Sequence, residues 1–337
     1  MALATKRPTR SDVAKLAGVS VATVSYVVNN GPRPVAPETR QLVLKSIETL
    51  GYKPHAIARS LRTGTTHTIG VLVPNVIAGY FGYLVTNIEL QLQEKGYIML
   101  LANSGENRDR ERQMLALLSD HSIDGLLYVP ISQKNNSCVG ELINEGIPVV
   151  FMDRYSPNVE ADIVMTDNVK AAKQATEYLI KSGCKRIVCI SFHNEASSAL
   201  NRVDGYRQAL QENGLQVDED MILLTRWPFG ESAETMFAAH IETHGVPDGI
   251  FCTVEGFISE SIRVLRKLGV YSNNQTLVAG GFTASEYPWH DLMDRPIPIV
   301  RQNTQLIAKR AVEMLMERIK GDKSPAKIEL IPADFIT

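Results

Sequence analysis

From about residue 68 to residue 280 the sequence alternates short apolar runs with longer amphipathic stretches, and this alternation restricts the fold more than any other feature. Runs such as 69–73, 125–129 and 186–191 are typical of buried strands, and the segments between them have the length of helices. Strands that alternate with helices form parallel sheets covered on both faces. The sequence therefore predicts an α/β fold for most of the chain.

The strand and helix runs form two consecutive series, the first from residue 69 and the second from Ile163. Two such series predict two similar doubly wound subdomains. Open parallel sheets bind ligands beyond the carboxyl ends of their strands. We therefore expect a ligand-binding cleft between the subdomains, and an amphipathic helix over 305–320 follows the second series.

The net charge of −2 conceals a division between the two ends of the chain. Residues 1–62 hold ten basic and three acidic side chains, which leaves 25 basic and 34 acidic side chains in the other 275 residues. The local charges are therefore +7 and −9. A basic module joined to an acidic one makes nucleic acid the first partner to consider.

The basic segment has the pattern of a helix-turn-helix. Val13, Leu16 and Ala17 form one apolar helix face, Gly18 can end that helix, and Ser20 is a suitable N-cap for a second helix over 21–28. A third helix over 37–50 begins at a proline, and Leu42, Val43, Ile47 and Leu50 are expected to close a three-helix core. A plain helical bundle is the alternative, but the local charge favours DNA binding.

Two further observations concern the linker and the cysteines. Residues 55–62 follow a Lys-Pro break and form a short amphipathic segment, expected to be helical only when something stabilises it, and 63–67 read as linker. The four cysteines lack zinc-type spacing and are interpreted as reduced thiols of a cytoplasmic protein. No secretory signal or membrane-spanning run is evident, and no cofactor is expected.

Three motifs in the basic segment are specific to one family: Arg10-Ser-Asp-Val-Ala-Lys-Leu-Ala-Gly-Val-Ser-Val-Ala-Thr-Val-Ser-Tyr-Val-Val-Asn29, Leu50-Gly-Tyr-Lys-Pro54 and Ala58-Arg-Ser-Leu61. With them the chain resembles the lac-repressor/purine-repressor family of bacterial transcription regulators. The resemblance covers essentially the whole chain. It implies a sequence-specific regulator, most simply a repressor, that binds double-stranded operator DNA as a homodimer and is controlled by a small-molecule effector such as a sugar.

The resemblance also implies the DNA contacts. The second helix is expected to read the major groove, and residues 55–62 to be a hinge helix whose Leu61 enters the minor groove as a wedge. The family usually has arginine at position 26, so tyrosine there predicts a different operator half-site. The expected DNA-binding residues are Arg10, Ser20, Val21, Ala22, Thr23, Ser25, Tyr26, Asn29, His55, Arg59 and Leu61.

For the remainder, the resemblance implies a periplasmic-binding-protein-like effector domain. The expected domains are 1–54 for DNA binding, 55–67 for hinge and linker, and 68–337 for effector binding and dimerisation. Within the last, the N-subdomain is about 68–162 plus 300–322, and the C-subdomain is about 163–299 plus 323–337. The expected effector-binding residues are Tyr80, Phe81, Asp153, Arg202, Trp227, Phe229, Thr253, Glu255, Thr283 and Gln302.

Each effector residue has a plainer alternative. Tyr80 and Phe81 suit core packing equally well, Arg202 suits an ordinary salt bridge, and Trp227 or Phe229 suits a loop anchor. The family commonly has Asn-Asp where this chain has Val254-Glu255, and an aspartate at position 283. Losing those polar groups predicts a less hydroxylated or anionic ligand, a sugar held differently, or a weakened response.

The sequence argues against two other classes of protein. An enzyme is disfavoured because no dinucleotide turn, Walker loop or nucleophile elbow is present, and His240 and His244 are expected to form a solvated helix end rather than a metal site. A periplasmic solute-binding protein shares the two-lobed fold, but it would have a signal peptide and would lack residues 1–62. A regulator insensitive to effector stays open.

Overall fold

The computed structural model describes residues 8–28, 33–52, 65–77, 79–134, 137–192, 195–225, 232–271, 276–284 and 296–337. The chain divides into two compact units, Met1–Thr66 and His67–Thr337.

The first unit is a three-helix domain with α1 Arg10–Ala17, α2 Val21–Val28 and α3 Pro37–Leu50. The turn is built as the sequence predicts: Gly18 ends α1 in the left-handed conformation at φ 63°, and the Ser20 hydroxyl accepts a hydrogen bond from the Thr23 N–H at 3.1 Å. Thr9 and Asp12 add a capping box at the start of α1.

The core of this unit differs from the prediction at two leucines. Leu16 and Leu42 were expected inside, but about half of each side chain is exposed. Ala14 and Tyr52 are buried instead, with Val13, Ala17, Val24, Val27 and Val43. Most of the buried side chains between the three helices are alanine and valine, Tyr52 is the large one, and Leu16 and Leu42 face the surface.

The second unit contains twelve strands and eight helices within its described residues. The strands are β1 Thr68–Val73, β2 Ile98–Asn103, β3 Gly125–Tyr128, β4 Val149–Met152, β5 Asp162–Thr166, β6 Ile187–Phe192, β7 Ile222–Thr225, β8 Gly249–Cys252, β9 Leu277–Thr283, β10 Ile299–Arg301, β11 Ile328–Ile331 and β12 Asp334–Ile336. The helices are α4 Gly79–Glu94, α5 Arg108–Asp120, α6 Ser137–Asn144, α7 Asn168–Lys181, α8 Ser197–Glu212, α9 Ala233–His244, α10 Glu255–Lys267 and α11 Thr304–Ile319.

The strands form two six-stranded sheets, as the α/β prediction requires. The first has the order β11-β5-β4-β3-β1-β2 and the second β12-β10-β9-β8-β6-β7. Neighbouring strands pair in parallel, apart from the antiparallel pair β10–β12. Each sheet has an apolar cluster on each of its two faces, so the two sheets belong to separately packed subdomains.

The subdomain boundaries differ from the prediction in three places. Strand β5 pairs with β4 in the first sheet and does not open the second series, and β11 joins the first sheet beside β5. Strand β10 belongs to the second sheet, so the chain returns to the first subdomain after Arg301. An apolar run predicts a strand but not its partner, because pairing depends on residues distant in sequence.

The chain therefore passes between subdomains three times, at Asp167, at Gln302–Asn303 and at 332–333. The first and third crossovers are joined by a hydrogen bond from the Asp167 N–H to the Ile331 carbonyl, 2.9 Å. A side-chain bond of 3.0 Å from Thr166 to Gln302 joins the first to the second. The three crossovers are thus linked side by side.

Helix α8 packs closely on α7 because of a single glycine. A Cβ added at Gly205 would lie 2.3 Å from the Val169 carbonyl oxygen and 2.8 Å from the Ala172 Cβ. Only glycine allows the two backbones to approach this closely. Helix α8 carries Arg202, so this contact also helps to place that side chain.

Within the described part of the chain, no single helix is both long and apolar enough to cross a membrane. The bent pair of α1 and α2 satisfies the same length and composition limits only when the two helices are taken together.

Candidate functional site

A cavity of about 510 Å³ lies between the two subdomains. The segments that follow β4, β6 and β8, and Phe282 near the end of β9, contribute to its wall, as expected for the carboxyl ends of parallel strands. Residues of the first subdomain include Asn75, Tyr80, Phe81, Glu106, Asp153 and Arg154, and those of the second include Phe192, Ser198, Arg202, Thr253, Val254, Glu255, Phe257, Glu260 and Phe282. Gln302 reaches the cavity from the second crossover.

Asp153 immediately follows β4 in a left-handed conformation, φ 59°, that aspartate tolerates better than most residues. Its carboxylate is buried, and Oδ2 accepts a long hydrogen bond of 3.4 Å from the Ser198 hydroxyl across the cleft. Oδ1, the Tyr80 hydroxyl and Arg154 Nε are buried without a hydrogen bond of normal geometry, although Tyr80 interacts with Asp153 and Arg154 Nε lies 3.6 Å from Oδ2. Buried polar atoms without such a bond are rare, and three around one cavity point to a ligand.

Arg154 is held by Glu106. The two guanidinium nitrogens Nη1 and Nη2 donate to the two Glu106 carboxylate oxygens at 3.3 and 3.2 Å, and both side chains are nearly buried. Burial alone would lower the pKa of Arg154, but the carboxylates of Glu106 and Asp153 outweigh that effect and raise the pKa. This pair is a fixed charged element of the cavity wall.

Arg202 is more enclosed, and its donors are taken by oxygen acceptors. Nε donates to Asn168 at 2.7 Å, Nη1 to the Thr253 carbonyl at 2.9 Å and Nη2 to Gln302 at 3.2 Å. Nη2 lies 3.9 Å from Asp153, too far for a hydrogen bond. Burial lowers the pKa of Arg202 to about 10, so the guanidinium is still protonated at neutral pH.

Glu255 begins helix α10, and its carboxylate is held from below. The Thr283 hydroxyl, at the end of β9, donates to Glu255 Oε2 at 2.6 Å. Val254, the N-cap residue, supplies no side-chain cap to the helix. The first turn of α10 therefore presents a carboxylate to the cavity, and Thr283 fixes its position.

Aromatic side chains supply the apolar part of the wall. The Arg202 guanidinium lies 3.9 Å above the centre of the Phe282 ring. Phe192 and Phe257 pack against each other with ring centres 4.9 Å apart, and Tyr80 meets Phe81 edge to face at 5.1 Å. The cavity therefore combines apolar ring surfaces with a few fixed polar groups, the usual construction of a small-molecule site.

The structure brings together most of the residues expected to bind an effector. Those that line the cavity are Tyr80, Phe81, Asp153, Arg202, Thr253, Glu255 and Gln302. Thr283 does not line it and acts through Glu255, whereas Trp227 and Phe229 lie outside the described residues. Sequence reasoning did not assign Glu106, Arg154, Phe192, Phe257 or Phe282. Arg154 and Phe282 adjoin assigned positions at strand ends, which was the available signal.

In the first unit the expected DNA-reading residues share the outer side of α2. Val21 and Ala22 are exposed, and Thr23, Ser25 and Tyr26 are half-buried. Ser20 caps this helix, and Arg10 Nε donates to the Tyr52 hydroxyl at 3.3 Å. Asn29, His55, Arg59 and Leu61, including the whole predicted hinge helix, lie outside the described residues.

Of the two histidines of α9, which were expected to form a solvated helix end, His244 is exposed as expected and His240 is not. His240 is buried and its ring stacks on that of His244, with centres 4.4 Å apart. No group of three or more His, Cys, Asp or Glu side chains among the described residues is arranged to hold a metal ion. The pair is a packing element at the end of the helix.

Comparisons with known proteins agree with this geometry. Residues 9–55 match the model for bacterial regulatory proteins of the lacI family, and residues 66–337 match the model for periplasmic binding proteins and the sugar binding domain of the LacI family. The chain belongs to the LacI family. Family members are DNA-binding transcriptional regulators rather than enzymes, and this chain has both the helix-turn-helix domain and the effector domain.

Individual members are similar over nearly the full length. The HTH-type transcriptional repressor PurR of Vibrio atlanticus is 32% identical over 325 residues, 95% of this chain and 94% of that protein. The lac repressor dimer bound to operator and the anti-inducer ONPF superposes with a TM-score of 0.85 at 20% identity, covering 98% of each chain. A putative ribose operon repressor from Burkholderia thailandensis gives 0.72 at 25% identity, over 80% of this chain and 99% of that one.

Proposed function

We propose that this LacI-family protein is a cytoplasmic, homodimeric repressor that releases or grips its operator when a small metabolite enters the cleft between its subdomains. The observation that carries this proposal is the cavity itself, where buried polar atoms of Asp153, Tyr80 and Arg154 lack hydrogen bonds of normal geometry. A site built in this way is completed by a ligand.

Arg202 is the residue that would couple ligand binding to subdomain movement. Its guanidinium faces the cavity and also holds Asn168, next to the first crossover, and Gln302, in the second. A ligand that draws Arg202 toward itself would loosen or strengthen both contacts. The crossovers are the segments about which the two subdomains would rotate. A change in these contacts would therefore bias that rotation directly, with a coupling free energy of about 1–3 kcal/mol.

The outer side of α2 would read the operator. It contributes small apolar and hydroxyl side chains with no charged group, which favours contacts to thymine methyl groups over bidentate recognition of guanine. Tyr26 stands at the position that the family usually fills with arginine. Two half-sites then require two copies of the chain.

The dimer would form through the exposed edges of the two sheets. Strand β2 is an edge of the first sheet and exposes Ile98 and Leu101, and β7 is an edge of the second and exposes Leu224. Unpaired edges with apolar side chains favour association with another chain. The similarity to the lac repressor, whose solved structure is a dimer, supports a dimer of this chain.

Operator selection from random duplexes, followed by binding measurements, tests this proposal. The purified protein should select a two-fold symmetric site and bind it as a dimer. A thermal-shift screen of sugars, sugar phosphates and purines should then identify compounds that stabilise the protein, and those compounds should change operator affinity. Selection of no symmetric site would contradict the proposal. The variant Leu61→Gly should weaken operator binding and leave effector binding intact.

A further inference from the structure

Among the described residues, six charged side chains line the cavity, and four of them are acidic: Glu106, Asp153, Glu255 and Glu260 against Arg154 and Arg202. The two arginines are already engaged. Arg154 gives two bonds to Glu106, and Arg202 gives three to Asn168, Thr253 and Gln302. Among the described residues of the wall, each nitrogen of Arg202 and both Nη atoms of Arg154 already donate, and Arg154 Nε is left without a hydrogen-bond partner.

The carboxylate oxygens of the cavity wall, unlike most of its arginine donors, are not all engaged in hydrogen bonds. Asp153 Oδ1 is buried without a hydrogen bond of normal geometry, although Tyr80 interacts with this carboxylate and Arg202 Nη2 lies 3.9 Å from Oδ1. Within the described residues, the only hydrogen bond to the Glu255 carboxylate is the one that Oε2 receives from Thr283, which leaves Oε1 for the cavity. Glu260 is set apart because its Oε2 already accepts the Glu234 N–H at 2.9 Å. Ionised carboxylate oxygens only accept hydrogen bonds, so Asp153 and Glu255 would bind O–H or N–H groups of the ligand.

Two effects would oppose the binding of an anionic group beside these carboxylates. Like charges a few ångströms apart repel strongly in a partly enclosed site, where water screens them poorly. Among the described arginines, only Arg154 Nε lacks a hydrogen-bond partner, and it lies 3.6 Å from the Asp153 carboxylate, so little is offered to replace the water that the anion loses on entry. A hydroxyl or ammonium group meets neither penalty.

We infer that the cavity selects an effector without negative charge that donates hydrogen bonds, and that Glu255, positioned by Thr283, is the residue that excludes phosphorylated and carboxylated metabolites. This inference rests on the proposed effector function and narrows its ligand class. It also replaces the expectation of an anionic ligand, since the carboxylate absent from position 283 is supplied by Glu255 from the neighbouring helix.

The experiment compares matched compounds that differ in charge. Pentoses, hexoses and nucleosides are each supplied as the neutral parent, the phosphate ester and, where one exists, the amino derivative, and binding to the full-length protein is measured by thermal shift and calorimetry at fixed ionic strength. At least one uncharged or amino compound should bind, and its phosphate ester should bind about ten-fold more weakly or worse. Glu255→Gln should reduce this preference to within about three-fold.

Two variants separate the role of Glu255 from general electrostatics and from folding. Glu260→Gln removes the same charge from the same helix, but its carboxylate is engaged by a backbone N–H, so the preference should persist. Thr283→Val should weaken binding of the neutral compound while keeping the preference against its phosphate ester. An equal loss of preference in Glu260→Gln and Glu255→Gln would overturn the role given to Glu255.

The failures of this inference and of the proposed function are distinguishable. Binding of phosphate esters with none of their parents would overturn the inference and leave an effector-controlled repressor standing. No binding by any compound, together with operator affinity that none of them alters, would overturn both.

Discussion

The Glu106–Arg154 pair allows a sharp test of how the cavity wall is held. Glu106→Gln keeps the size of the side chain and removes its charge, so one of the two hydrogen bonds from Arg154 loses its acceptor oxygen. Arg154 would stay buried beside Asp153, 3.6 Å away, without its main counter-ion. Removal of one partner of a buried ion pair costs about 3–5 kcal/mol when the other charge is left uncompensated.

Asp153 retains part of that compensation, so we expect the unfolding free energy to fall by about 2–4 kcal/mol. The chain offers a matched control in Arg207 and Glu219, which are also joined by two hydrogen bonds, of 3.0 and 2.7 Å. There 35% of the Arg207 side chain and 65% of the Glu219 side chain are exposed. Because water screens that pair, Glu219→Gln should cost about 0.2–1 kcal/mol.

Urea denaturation of wild type and both variants, followed by circular dichroism, measures the two changes. The midpoint should fall much further for Glu106→Gln than for Glu219→Gln at an unchanged slope. Equal effects of the two substitutions would refute the reasoning, because burial would then make no difference to the strength of the pair.

Four further predictions address other parts of the molecule. Gly205→Ala should destabilise the protein by about 1–3 kcal/mol in denaturant titrations because the added Cβ meets the Val169 carbonyl. The control is Gly140→Ala in α6, where an added Cβ would have nothing within 4 Å, and it should stabilise the protein by about 0.5–1 kcal/mol. A change of the same sign in both variants would contradict the packing argument. Glu195 receives hydrogen bonds from Arg108, Ser132 and Lys134 across the cleft, so Glu195→Gln should reduce the loss of Tm that added salt causes in wild type, and identical salt profiles would count against this contact. Burial, with His244 and Arg186 nearby, lowers the pKa of His240. As the pH falls, the unfolded chain therefore takes up a proton at this residue before the folded chain does, so the free energy of unfolding should decline below about pH 6.5. The substitution His240→Leu should flatten that decline, as measured by urea titrations at a series of pH values. Tyr26→Arg should shift the half-site selected from random duplexes toward guanine opposite position 26, with about 1–3 kcal/mol of discrimination, and recovery of that guanine by the wild type would sink the idea.

Much of the architecture was predictable from local patterns. The turn of the helix-turn-helix follows from Gly18 and Ser20, which act through the backbone within a few residues of themselves. The runs 69–73, 125–129 and 186–191 and the helix over 305–320 agree with β1, β3, β6 and α11 to within a residue or two, whereas β10, β11 and β12 were not predicted. Those three strands are short, and their sequences lack the continuous apolar character of the longer parallel strands.

The cavity was predictable in outline but not in its contacts. The ends of parallel strands predicted the position of the cleft, and the resemblance gave Asp153, Arg202 and Thr253. Nothing in the local sequence pairs Glu106 with Arg154, which are 48 residues apart, or Glu255 with Thr283, which are 28 apart. The carboxylate that is absent from position 283 is therefore supplied by Glu255 on helix α10.

The sequence by itself determined the division of this protein into a basic helix-turn-helix domain and a larger α/β effector domain. Charge, helix capping and hydrophobic period are properties of neighbouring residues and can be seen without the fold. Tertiary structure alone decided which sheet receives β5 and β11 and which charges are satisfied around the cavity. Both outcomes depend on partners far apart in the chain, whose free energies arise only when packing removes them from water and brings them within hydrogen-bond distance.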